Sequence, residues 1–300
     1  GEIASVAKKT GNHWRKIFNV YAKLVYALDQ KIESLSCQKK AVKRLHFGSQ
    51  RYDNWQAYRD AVLLQAGSDT ALWFSQEFDA SEGSSSEQSL HIIMGRQYAA
   101  SLDLPGMVTF DADFSSEHQY LRKAYIGTNN LELGRALGEA VKKLRPEGGS
   151  ICIFTGRLDS PNLNLRIMGI RSVLSGINYG QPPGARLRGE HGWKEWSRCP
   201  LPHRGDFDRA ITQLRLAFEK PDQVNTLIGV GGGPQNAIKK YQRLMSANKK
   251  YLDSKKFVVV FADTNSSQLK HLKAGMSHYN VGQNPYEMGR QAIVTLHKIV

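Results

Sequence analysis

Apolar residues along this chain fall into two alternating rhythms. Short apolar runs stand at Ile3–Val6, Thr70–Phe74, Ile151–Phe154, Thr226–Val230 and Phe257–Ala262, each with the length and composition of a buried strand. Between the runs, apolar residues recur at helical spacing. Ile17, Val20, Tyr21, Leu24, Val25 and Leu28 mark one such face, and Leu133, Leu137, Val141 and Leu144 another. Leu163, Ile167, Ile170 and Leu174 form a third, and Phe207, Ile211, Leu214 and Phe218 a fourth behind an Asp206 cap. The same pattern predicts strands at Arg44–Gly48, Gly106–Phe110, Tyr125–Gly127, Ala185–Arg188 and His278–Val281. It predicts helices over Trp55–Leu64, His91–Ala100 and Met288–Ile299, a short one at Leu269 and Leu272, and one after Pro234. Ala80–Gln88 reads as an exposed loop. Strand-then-helix alternation over nearly the whole length predicts α/β architecture with parallel sheets. A chain of 300 residues suits two sheets, each with its own core.

Phe154–Ile170 is the stretch around which the rest is organised. The run Ile151–Phe154 ends, Gly156 breaks it, and Ser160, Pro161 and Asn162 supply helix-start chemistry. A helix thus opens just past the carboxyl end of a strand, where open parallel sheets bind ligands. Arg166 lies near the start of that helix, with a planar five-donor guanidinium suited to vicinal hydroxyls, carboxylate or phosphate. Asn129 or Asn130 caps the helix before it, and Gly134 and Gly138 on that helix allow a neighbour to approach closely.

Polar residues gather at the other strand ends. Asn12, His13 and Trp14 follow the first strand, Asp111 and Asp113 the fourth, Asp263 follows Phe257–Ala262, and Gln283 follows the last. Taken singly, an Asp or Asn there is a helix cap and a Trp is packing. Together they suit a sugar, because carboxylates and amides pair with hydroxyls and an indole stacks on the apolar face of a pyranose.

Composition narrows the field. Hydrophobic content of 41% and charged content of 23% belong to a folded chain, and no apolar run reaches the roughly 20 residues of a membrane span. No signal peptide is visible at the start, and it is taken as already removed. The net charge of +14 comes mostly from scattered pairs such as Lys142-Lys143, Lys249-Lys250 and Lys255-Lys256. That dispersal favours a solvated basic surface over a nucleic-acid reader, and such a surface also attracts anionic lipids or glycans. Cys152 reads as a small buried apolar residue, while Cys37 and Cys199 pair only if the fold brings them together. The nine histidines are spread out, no metal-ligand spacing occurs, and no cofactor is expected.

Longer motifs carry a resemblance. Tyr125–Gly134 (Y-I-G-T-N-N-L-E-L-G), Thr155-Gly156, Arg166–Ile170 (R-I-M-G-I), Phe261-Ala262-Asp263 and Gly282–Gly289 (G-Q-N-P-Y-E-M-G) resemble the type I periplasmic binding proteins for sugars. The order and spacing match along the chain, strongly from Asp111 onward. The resemblance implies two Rossmann-like lobes with parallel sheets and a ligand cleft between them. One lobe is expected over about 1–127 plus 284–300, the other over about 128–283, with hinges near Thr128, near Gln283 and close to the C-terminus. It implies that Trp14 is a stacking aromatic and Asn12, beside His13, an early polar contact. Asp111 looks like the carboxylate after the fourth strand, with Asp113 as second candidate. Arg166, Asp263 and Gln283 look like the helix arginine, the late aspartate and the hinge glutamine. Gly231-Gly232-Gly233 departs from the family, which often carries Asn-Asp there. The departure leaves room for a larger ligand or presents backbone N–H groups to an anion.

The expected function is capture of a sugar or sugar-like polyol outside the cytoplasm, in the periplasm or its equivalent, for delivery to the membrane permease of an ABC importer. The alternatives are a ligand-sensing ectodomain of a membrane receptor and the effector domain of a LacI-type regulator. The last requires a helix-turn-helix, whereas this chain opens on a strand, so no specific nucleic acid is expected. Asp111 and Asp113 make a poor acid–base pair, and neither a nucleophile elbow nor a phosphate loop is present, so an enzyme is not expected.

Overall fold

The structure is a computed structural model that describes residues 22, 26, 52–61, 107–111, 113, 114 and 116–299. The strands expected at Ile3–Val6, Arg44–Gly48 and Thr70–Phe74, the helix expected at His91–Ala100, and Asn12, His13, Trp14 and Cys37 lie outside the described residues. The chain divides into two compact units, 1–108 with 289–300 and 109–288.

Of the first unit, helix α1 (Trp55–Ala61) is described. Asn54 caps it by accepting from the Ala57 amide at 2.9 Å. Tyr58 is buried beneath the rings of Tyr26 and Tyr52, with centroids 6.5 and 6.1 Å away.

The second unit opens within β1 (Met107–Phe110), at Thr109; β1 forms a ribbon with β2 (Arg122–Ile126), and α2 (Asn130–Leu144) follows. Then come β3 (Gly149–Thr155), α3 (Pro161–Ser175), β4 (Trp193–Glu195), β5 (Leu201–Pro202), α4 (Phe207–Phe218) and β6 (Thr226–Gly229). The order closes with α5 (Ile238–Ala247), α6 (Lys249–Asp253), β7 (Val258–Ala262), α7 (Ser266–Lys273), β8 (Tyr279–Val281) and α8 (Pro285–Ile299), whose residues from Gly289 onward belong to the first unit. The sheet runs β4-β3-β6-β7-β8, with β5 also beside β3, and every pairing in it is parallel.

Alternate residues of each strand enter opposite cores, as a pleated sheet covered on both faces requires. Ile151 and Ile153 of β3, Ile228 of β6 and Val258 and Val260 of β7 pack with Leu137 of α2 and Ile170 of α3. Cys152, Phe154, Leu227, Val259 and Phe261 face the other way, onto Leu214 of α4 and Tyr241 and Met245 of α5. The helices α2 and α3 cross tightly. A Cβ on Gly134 would fall inside the carbonyl of Arg166, one on Gly169 would meet Leu131 and Arg135 backbone, and one on Gly138 would lie 2.9 Å from Val173 Cβ.

The segment between α3 and α4 corrects two expectations. Ala185–Arg188 is not a strand, since Arg188 makes only an isolated bridge to Lys194. The Leu187 amide instead donates to the buried Glu195 carboxylate at 3.3 Å, a donor that a strand would have given to a ladder. Glu195 is also gripped bidentately by Arg171, Nε to Oε1 at 2.7 Å and Nη2 to Oε2 at 2.9 Å, with both side chains buried. Arg171 Nη1 donates to the carbonyls of Pro183 and Gly184 as well, which ties this Gly- and Pro-rich segment to α3. The second correction concerns the cysteines: Cys199 is disulfide-bonded to Cys152, with Cα atoms 5.4 Å apart. Cys152 is thus buried as expected but bonded, and it holds the β5 segment to the central strand.

Candidate functional site

The topology selects one end of this sheet. From β3 the chain crosses to β4 and β5 on one side, then returns over the sheet to β6 on the other. The order reverses at β3, and ligands of open α/β sheets bind outside the carboxyl ends at such a point. Arg166, Val230, Asp263 and Gln283 all stand there, just past β3, β6, β7 and β8.

Arg166 is the hub. Ser160 and Pro161 start α3, and Gly134 lets the Arg166 backbone sit against α2. The side chain is only 5% exposed. Its Nε donates to Asn130 Oδ1 at 2.8 Å, Nη1 to the Val230 carbonyl at 2.8 Å, and Nη2 to Gln283 Oε1 at 3.1 Å. Gln283 Oε1 also accepts from Thr128 Oγ1 at 2.6 Å, while Gln283 Nε2 donates to Asp263 Oδ1 at 2.6 Å. Among the described residues no carboxylate forms an ion pair with Arg166. Burial therefore lowers its pKa from the ordinary arginine value, against the fields of Asp263 and Asp111, which raise it.

Asp263 is fixed through its backbone as well. Its N–H donates to the Val281 carbonyl at 2.8 Å, and its carbonyl accepts from Asn280 Nδ2 at 2.9 Å. Its φ of 75° lies in the left-handed region that Asp tolerates better than most side chains. Asp111 shares that conformation at φ 64°, is exposed, and has its carbonyl bound by Tyr125 Oη at 3.1 Å. Burial, and then the charges of Asp111 and Asp113, raise the Tyr125 pKa.

The structure thus brings Arg166, Gln283 and Asp263 into one hydrogen-bonded chain and places Asp111 within their field. Asp113 is engaged elsewhere: Arg122 Nε lies 2.8 Å from Oδ1, which also accepts from Thr109 Oγ1 and the Phe114 amide. Asn12, His13 and Trp14 lie outside the described residues. The sequence reading has Thr128 near a hinge and Asn130 as an alternative cap, and it misses their part in this cluster and that of the Val230 carbonyl. The pair Asn129-Asn130 was the signal: Asn129 takes the cap, accepting from the Glu132 amide at 3.2 Å, and this leaves Asn130 for Arg166. At the glycine run, a Cβ on Gly231 would meet nothing within 4 Å, so the space that a side chain would occupy is open. His203, past β5, borders the run, 3.7 Å from where a Gly233 Cβ would stand. Its Nδ1 accepts from the Gly205 amide at 3.1 Å, and burial lowers its pKa against the pull of Asp206, so its proton sits on Nε2.

A profile of the family described as "Periplasmic binding protein domain" matches residues 101–300. The chain belongs to this family. Its members are solute-binding proteins, not enzymes, and the α/β unit with a parallel sheet is their type I fold. A second profile, "Family of unknown function (DUF6942)", matches residues 1–126. No curated protein matches the chain in sequence.

Among solved structures, a glucose-galactose binding protein, GanP, from Geobacillus stearothermophilus is 20% identical over 68% of this chain and 65% of its own, with a TM-score of 0.51. An ABC transporter solute binding protein from Agrobacterium vitis with bound D-fucose is 17% identical over 67% and 62%, with a TM-score of 0.53. Another from Agrobacterium vitis, bound with alpha-D-tagatopyranose, is 15% identical over 66% and 61%, with a TM-score of 0.51. This periplasmic-binding-protein chain therefore shares their fold over a little under two thirds of their lengths.

Proposed function

We propose that this periplasmic binding protein captures a neutral sugar or sugar-like polyol outside the cytoplasm and hands it to the permease of an ABC-type importer. The observation that carries the reading is the Arg166–Gln283–Asp263 chain at the carboxyl end of the sheet. It offers cationic, amide and anionic groups side by side, which suits a ligand that donates and accepts at neighbouring hydroxyls. A simple anion fits less well, because Asp263 and Asp111 face the same region and His203 is held neutral. The similar structures, a glucose-galactose binding protein and two proteins with bound D-fucose and alpha-D-tagatopyranose, agree with the ligand class. The disulfide agrees with an oxidising compartment. Asn12, His13 and Trp14 are proposed to complete the ligand contacts, with Asp111 added from the 109–288 unit, and the lobes to close on the ligand. Asp113 is proposed as support for Asp111 rather than a contact.

A thermal-shift screen over pentoses, hexoses, disaccharides and alditols, followed by calorimetry on the hits, tests the reading. A neutral sugar or polyol that stabilises wild type, and loses its effect with Asp263→Asn, is the expected result. Stabilisation only by amino acids or by phosphate would replace it.

A further inference from the structure

Three lysine pairs, Lys142-Lys143, Lys249-Lys250 and Lys255-Lys256, are scattered in sequence but converge in space, at the end of the sheet opposite Arg166. Strands β3, β6 and β7 begin at this end, and α2, α4 and α5 finish there. Backbone contacts fix the convergence. Arg145, just past Lys142-Lys143, donates through Nη2 to the carbonyls of Lys255 at 3.2 Å and Lys256 at 2.8 Å. The Phe257 amide donates to the Tyr251 carbonyl at 3.0 Å, which lays the Lys249-Lys250 turn beside Lys255-Lys256. Val258 N–H donates to the Asn225 carbonyl at 2.9 Å, and Val224 N–H to the Lys220 carbonyl at 3.0 Å, which adds the end of α4. Lys142, Lys143, Lys220, Lys250, Lys255 and Lys256 are all exposed here. Lys249 pairs with Asp253, and the remaining acids on this edge, Glu147, Glu219 and Asp222, leave it net positive.

We propose that this lysine pole docks the protein on an anionic phospholipid membrane. The patch is mostly lysine: Arg145 is committed to backbone carbonyls, and Arg215 stands in the last turn of α4. Mobile ammonium groups fit a diffuse sheet of headgroup charge, whereas nucleic-acid or phosphopeptide readers favour arginine forks. Tyr251 stands in the middle of the patch, 45% exposed, as an amphipathic ring suited to the headgroup layer. Contact through this end leaves the Arg166 end of the sheet uncovered, so membrane docking and solute capture do not compete for surface. The proposal is independent of which solute the protein takes.

The test is co-sedimentation of the whole chain with vesicles of phosphatidylcholine alone, or with about one third phosphatidylglycerol. Two charge-removal variants are compared: Lys255→Gln with Lys256→Gln at the pole, and Lys239→Gln with Lys240→Gln at the start of α5, at the other end of the sheet. Wild type is expected to sediment only with the anionic vesicles, and to release with salt. The pole variant is expected to bind on the order of 10- to 30-fold more weakly, and the α5 variant much as wild type. Equal losses in both variants would mean that net charge alone acts and would overturn the pole. So would failure to bind anionic vesicles, or retention by DNA or an anionic glycan in place of lipid.

Discussion

Arg166 and Asp263 do not pair directly; the Gln283 amide stands between them, accepting from the guanidinium through Oε1 and donating to the carboxylate through Nε2. Opposite charges are therefore held near one another without neutralising each other. Each keeps capacity for a ligand, and the glutamine sets their spacing.

Arg166→Met is accordingly expected to act twice. Sugar affinity should fall about 10- to 150-fold, as for loss of a charge-assisted bond contributing roughly 1.5–3 kcal/mol. The arginine is also buried and serves Asn130, Val230 and Gln283. Its removal orphans these groups, so the ligand-free stability should also drop, by about 1–3 kcal/mol, and the unfolding midpoint with it. Asp263→Asn, at a half-buried site, should weaken binding with little effect on that midpoint. Calorimetry paired with urea unfolding separates the two variants.

The glycines should divide sharply. Gly134→Ala pushes a methyl into the Arg166 carbonyl, which is backbone and cannot swing aside. A loss of about 1–3 kcal/mol or more is expected, with weaker sugar binding as the arginine shifts. Gly231→Ala meets open space and should be tolerated in urea unfolding. An equal loss in both would mean that the α2–α3 crossing does not position Arg166.

Burial lowers the pKa of His203, His271 and His278 alike. The unfolded chain then holds more protons than the native one below the ordinary histidine pKa of about 6.5. Their neutral native forms contribute fully above that pH, and stability should fall as pH drops through it. His271 is 1% exposed, and neither ring nitrogen has a partner among the described residues. His271→Phe, against the Tyr241 ring, should therefore stabilise the protein and reduce the pH slope measured by denaturant midpoints.

Removing the disulfide should cost about 2–5 kcal/mol, since it closes a long loop. Peptide mapping should recover Cys152 linked to Cys199, and Cys199→Ser should unfold at lower urea than wild type. Recovery of Cys37 linked to Cys199 would contradict the bond.

Local chemistry made much of this legible. Ser160-Pro161 announced α3, Asp206 announced α4, and the apolar runs announced β6 and β7 within a residue and β3 within two. Arg166, Asp263 and Gln283 were readable because strand ends are readable. What stayed hidden depends on distance along the chain. Arg171 meets Glu195 across 24 residues, and Cys152 meets Cys199 across 47, with no local sign at either end. Strands β4 and β5 are too short to show a period, and their pairing comes from β3. The burial of Arg166 was equally invisible, because it is created by Gly134 and Asn130 on another helix.

Each hydrogen-bond partner of the Arg166 guanidinium described above belongs to the same unit, 109–288. A solute reaching this face thus meets donors and acceptors that folding has already aimed. The conformational freedom of the arginine, the glutamine and the aspartate is lost long before the encounter, so their contribution to capture should be chiefly enthalpic and fast. A severed 109–288 polypeptide, if it folds, would keep that readiness and would recognise the solute's hydroxyl pattern without the power to retain it.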